Sequence, residues 1–150
     1  MPVTRKRPRH AAEAGQALIE TALVLPLILI LLFLVIDFGI ALDRRESILH
    51  SLREAGRSAA AGASYDTIVN RAVAESDGVV AAGEVSVCYE VVNINGVAED
   101  VGRISINHEY TLTVGSGEML TAFGLTAPTI DISPTAEVLL TNGAPGVPPC

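Results

Sequence analysis

From Thr21 to Ile36 the chain runs through sixteen residues, TALVLPLILILLFLVI, with no charge and Thr21 as the one polar side chain. As a helix this run rises roughly 24 Å, against a hydrocarbon layer about 30 Å thick. Widening it to residues 17–42 gives 26 residues and about 39 Å, and takes in Glu20 and Asp37. The two carboxylates are therefore expected near the inner and outer rims, because a deeper, unpaired one is costly. Pro26 removes one helix hydrogen bond, which predicts a kink or a loosened turn.

The charges divide about this run. Arg5, Lys6, Arg7 and Arg9 against Glu13 make a basic leader over residues 1–15. From Asp43 onward there are six arginines and fourteen acidic residues. A basic flank beside an apolar span stays on the cytoplasmic side, so the acidic remainder is expected outside. That remainder has no basic stripe, which argues against nucleic-acid binding. Of all residues 49% are apolar and only 4% aromatic. Much of that apolar share lies in the one early stretch, so the whole reads as a bilayer-bound, single-pass chain with one small domain.

Two ordinary readings compete. Gly39-Ile40-Ala41 has the small residues of a signal-peptide cleavage site, although an h-region is usually only about 7–15 residues long. A plain uncleaved anchor, with Glu20 incidental, is the other. The stretch AGQALIETALVLPLILILLFLVIDFGIAL resembles instead the N-terminus of TadE-like proteins, pseudopilins or minor pilins of tight-adherence (Tad/Flp) pilus systems. The resemblance covers residues 14–57. It rests on Gly15, on Glu20 five residues later, on Pro26, and on Asp37-Phe38-Gly39 near the end of the span.

The resemblance implies cleavage by a prepilin peptidase between Gly15 and Gln16, with Glu20 as fifth residue of the mature chain. The residue types suit that chemistry. A glycine leaves the attacked bond unhindered. The new ammonium at Gln16 would lie one helical turn from the Glu20 carboxylate, which could pair with it or with a neighbouring subunit's. At the start of a helix Glu20 also opposes the positive end of the dipole. Otherwise it marks only the water-facing end of the helix. Other pilins or pseudopilins and Tad inner-membrane assembly proteins are the partners the resemblance implies.

Beyond the span the helical period continues. Ile48, Leu49, Leu52, Ala55 and Ala59 fall along one side, and Gly62 is placed to cap the helix. This predicts a long helix from Gln16 to Ala61, with residues 16–42 in the membrane and 43–62 an amphipathic extension. Its stripe needs a partner surface, either the chain's own head or another subunit. In the head, residues 63–150, a second helix is expected from Tyr65 to Ser76, ended by Asp77-Gly78.

After Gly83 the period changes to two. Val85 to Val92 reads as a strand, Asn95-Gly96 as a turn, and Ile104 to Val114 as the clearest half-buried strand. Gly115-Ser116-Gly117 breaks it, and Met119 to Phe123 forms one helical turn. Ile130 to Leu140 reads as a last strand, with Pro134 implying an edge or a bulge. Helices followed by antiparallel strands give an α+β, pilin-like fold, its sheet laid on the long helix. A Pro/Gly-rich tail closes the chain over residues 142–149.

Cys88 lies on the first strand and Cys150 after the tail. In an oxidising compartment one intrachain disulfide is available; the alternative is a buried Cys88 and a tail thiol that cross-links subunits. His10, His50 and His108 are scattered over leader, helix and strand, so no metal site is expected. His108 alternates with apolar neighbours and reads as a packed or edge side chain. No phosphate loop, G-x-S-x-G elbow or H-E-x-x-H occurs, and neither a catalytic role nor a cofactor is expected. The rival to the pilin reading is an uncleaved single-pass protein whose extracytoplasmic domain binds a partner.

Overall fold

The computed structural model describes residues 9–112, 115–122, 124–140 and 145–150. The leader through Pro8, Thr113 and Val114 of the expected strand, Phe123 and residues 141–144 of the tail lie outside them. The elements follow in the order α1 (Arg9–Ala60), α2 (Tyr65–Ala74), β1 (Val85–Ile94), β2 (Val97–Ile106), β3 (His108–Thr111), α3 (Ser116–Ala122), β4 (Thr129–Ile132) and β5 (Thr135–Leu139). The architecture is α+β, a long apolar N-terminal helix with a small antiparallel sheet.

α1 is 52 residues long and starts at Arg9 rather than at Gln16. Ala11, Ala12, Glu13 and Ala14 are strong helix formers, and they carry the helix back past Gly15. It runs unbroken through Pro26, so the missing hydrogen bond there does not end it.

Two compact units form, residues 1–37 with 113–127 and residues 38–112 with 128–150. In the first, the apolar side chains of α1 face outward: Leu18, Leu23 and Val35 are each more than 70% exposed, at 72%, 74% and 72%. Continuous apolar exposure on this scale is untenable in water and suits lipid. The connection between β3 and β4, which carries α3, belongs to this same unit.

In the second unit the remaining half of α1 supplies a core stripe. Ala41, Ile48, Leu52, Ala55 and Ala59 are buried at helical spacing, while Leu49 is only half-buried at the margin. The stripe is thus covered within its own chain. A Schellman motif ends the helix: Gly62, at φ 78°, donates to the Ala59 carbonyl (2.9 Å), and Ala63 donates to Ser58 (3.1 Å).

α2 buries Ile68, Val69 and Ala72, with Val73 half-buried. It ends at Ala74, two residues short of the expected Ser76. Ser76 is fully buried and its hydroxyl both donates to the Val73 carbonyl (2.8 Å) and accepts from the Val80 N–H (3.1 Å). That side-chain bonding replaces helix continuation, and Asp77 and Gly78 then turn the chain at φ 52° and 79°.

β1 and β2 form a hairpin whose last pair is Ile94 with Val97. Asn95 and Gly96 both take positive φ, 54° and 87°, as a two-residue hairpin turn requires. The second strand therefore begins at Val97, earlier than the Ile104 expected. β2 pairs with β5 on its other side, and β3 with β4.

Each of the two long strands read from the sequence is divided, but the register is unbroken. Val101 faces Leu139, Ser105 faces Thr135, His108 faces Ile132 and Thr111 faces Thr129, so one residue spacing holds throughout. The interruption falls where Ile106 opposes Pro134, which has no N–H to give. Parity survives the break: Ile104, Ile106, His108, Tyr110 and Leu112 are all buried, the alternation expected of a half-buried strand.

Candidate processing and assembly site

Gly15, Gln16 and Glu20 lie together on the exposed first part of α1. Gln16 Nε2 donates to Glu20 Oε1 at 3.1 Å, so the carboxylate reaches back toward the residue that a cut after Gly15 would make N-terminal. Thr21 returns its hydroxyl to the Ala17 carbonyl at 2.8 Å and exposes no unpaired donor to the apolar surroundings. Beside them Glu20, Thr21, Val24, Leu25 and Ile28 line a shallow groove of about 270 Å³.

A glycine inside a helix costs about 1 kcal/mol against alanine. At Gly15 a Cβ would meet nothing within 4 Å, so packing inside the chain does not account for it. Gly39 and Gly56, also in α1, are likewise open, so it is the combination with Glu20 that sets Gly15 apart.

Asp37 directly follows the apolar run. It is fully buried and has a bonded partner. Further along α1, in the second unit, lies the buried stripe that begins at Ala41. Arg44, on the same side, stacks its guanidinium 4.8 Å from the centre of the Tyr110 ring. The apolar spacing of the stripe was visible in the sequence, but nothing there marked Asp37 as a buried carboxylate.

Cys88 and Cys150 are joined in a disulfide, which closes the alternatives left open for the pair. The tail it holds is bonded at several points. Pro145 accepts from Tyr65 N–H (3.0 Å), Pro148 accepts from Tyr89 N–H (2.9 Å), and Cys150 donates to the Tyr89 carbonyl (2.9 Å). Val147 is buried. The tail thus covers part of the outer edge of β1 and satisfies the first N–H of α2.

His108 is packed, 8% exposed, with Nδ1 3.0 Å from Glu84 Oε1. The other oxygen of Glu84 accepts from the Ala81 N–H (2.7 Å). Glu84 therefore ties a short turn to β3, a link that lies 24 residues apart in sequence and had no local signal. Among the described residues no three His, Cys, Asp or Glu side chains converge as a metal site.

These features define a class: an α+β protein with one N-terminal helix that, among the described residues, is alone in being long and apolar enough to cross a membrane. Within that class, residues 15–57 match the family of TadE-like proteins, the family that the sequence resembles over 14–57. No curated protein and no solved structure matches the chain.

Proposed function

We propose that the protein is a TadE-like pseudopilin or minor pilin, a structural component in the assembly of a Tad/Flp-type adhesive pilus or a related secretion machine. On this reading it inserts with its N-terminus in the cytoplasm and its acidic head extracytoplasmic. A prepilin peptidase cuts between Gly15 and Gln16, and the mature helix then assembles beside other pilins under the Tad inner-membrane proteins. The role is non-enzymatic.

The observation that carries this reading is the one-turn Gln16–Glu20 contact that starts directly after an unpacked glycine, inside the segment that matches the family. Cleavage would leave an ammonium on Gln16 within a helical turn of the carboxylate. In a helical bundle in lipid, pairing of the two removes the cost of a bare charge and fixes axial register between subunits.

N-terminal sequencing of the membrane-extracted protein, from cells with an active prepilin peptidase, tests it. A start at Gln16 is expected. A start at Met1 or Pro2 would instead favour the uncleaved single-pass protein with a partner-binding head, and a start at Leu42 an ordinary signal peptide.

A further inference from the structure

We propose that the connection between β3 and β4 is an interfacial membrane anchor, which lays its apolar residues into the bilayer surface beside the upper part of the membrane-spanning helix. Residues 115–122 and 124–127 contain one charge, Glu118, and they form a compact unit with the membrane half of α1. Contact is direct: a Cβ on Gly115 would stand 2.6 Å from the Phe33 ring. Gly115 also takes φ 76°, so the bare glycine is needed twice over at this crossing.

Depth agrees with this placement. If a hydrocarbon layer of about 30 Å begins at Ala17, it is filled by about twenty helical residues and ends near Ile36. Phe33 then lies roughly 5 Å below that boundary. Interfacial helices seat their apolar face about 5–10 Å into the same zone. The connection meets α1 where such a segment belongs.

Backbone polarity would forbid an irregular loop at that depth unless its groups were bonded internally. Here they are. Met119 donates to Gly115 (3.0 Å), Gly124 to Thr121 (2.9 Å) and Leu125 to Leu120 (2.9 Å). The Thr121 hydroxyl donates to the Glu118 carbonyl (2.8 Å). Leu125 nevertheless stands 56% exposed, with Met119 and Leu120 half-covered. They share a compact unit with the exposed apolar surface of α1, and for that reason acyl chains, on this proposal, are what covers them.

The chain has no tryptophan, so a single introduced one reports its own surroundings. Leu125→Trp and, as a control on the β1–β2 hairpin of the other unit, Val91→Trp are made in the full chain and reconstituted into phosphatidylcholine vesicles, with or without bromine on the acyl chains. The bromolipid is expected to quench Leu125→Trp at least twofold and to leave Val91→Trp unchanged. A Leu120→Trp variant gives a second position should Leu125→Trp fail to fold. Emission from Leu125→Trp and Leu120→Trp as insensitive to bromolipid as that of Val91→Trp would overturn the proposal.

Discussion

Ile106 donates its backbone N–H to the Pro134 carbonyl at 3.2 Å, and Pro134 has no N–H with which to return the bond. Paired residues at such a position normally exchange two bonds. The half-made rung divides one continuous antiparallel ribbon into β2 with β5 and β3 with β4. Pro134→Ala is expected to supply the missing donor, a gain of about 0.5–1.5 kcal/mol. Loss of the proline's restriction of the unfolded chain offsets it by about 0.4–1 kcal/mol. Stability should therefore change by less than about 1 kcal/mol, while hydrogen exchange finds a protected amide at position 134.

Gly102 faces Val138 across the ribbon, and a Cβ on it would lie 2.9 Å from Leu140 Cδ2. The leucine, buried at 7% exposure, thus occupies the space the glycine leaves. Gly102→Ala should destabilise by about 1–3 kcal/mol through overpacking. In the Leu140→Ala background the same substitution should cost much less. Equal costs in the two backgrounds, measured by chemical denaturation, would show that the two sites are independent.

The disulfide closes a loop with a sequence separation of 62 residues. Changing both Cys88 and Cys150 to serine should lower stability by up to about 4 kcal/mol. The Tyr65 and Tyr89 amides, which the tail carbonyls accept, should lose exchange protection ahead of the sheet. Denaturation curves and amide exchange, compared with those of the oxidised wild type, measure both effects.

Ile48 is fully buried on the α1 stripe and Leu49 only half-buried beside it. Ile48→Ala is expected to cost about 2–5 kcal/mol, and Leu49→Ala under about 2 kcal/mol. A reversed order in thermal melts of the two variants would mean that the helix presents a different side to the head.

Glu20→Ala tests the assembly part of the proposed function. The substitution leaves Gly15 and the apolar span intact, so processing should continue. Co-isolation with other pilus components should fall, because the ammonium at Gln16 would lose its counter-charge. Undiminished co-isolation would reduce Glu20 to a residue that marks the helix end.

Periodicity is local, and for that reason the sequence alone determined much of this protein. Sixteen uncharged residues require a non-aqueous setting, the spacing from Ile48 to Ala59 sets one helix face inward, and strict alternation from Ile104 to Leu112 sets one strand face inward. Asn95-Gly96 fixes a hairpin because few other residues tolerate positive φ. Segments that match the TadE-like family were legible for the same reason, since Gly15, Glu20, Pro26 and Asp37-Phe38-Gly39 sit on one short run.

Tertiary structure decided what depends on pairs distant in the chain. Pro134 interrupts the ribbon because Ile106 happens to oppose it, and Glu84 binds His108 because the hairpin returns the strand beside its turn. Asp37 is buried although Ile36 and Phe38 beside it are exposed, and Gly115 meets Phe33 across more than eighty residues of chain. A residue's own spacing reports which side of an element it occupies; only the folded chain supplies the atom on the other side.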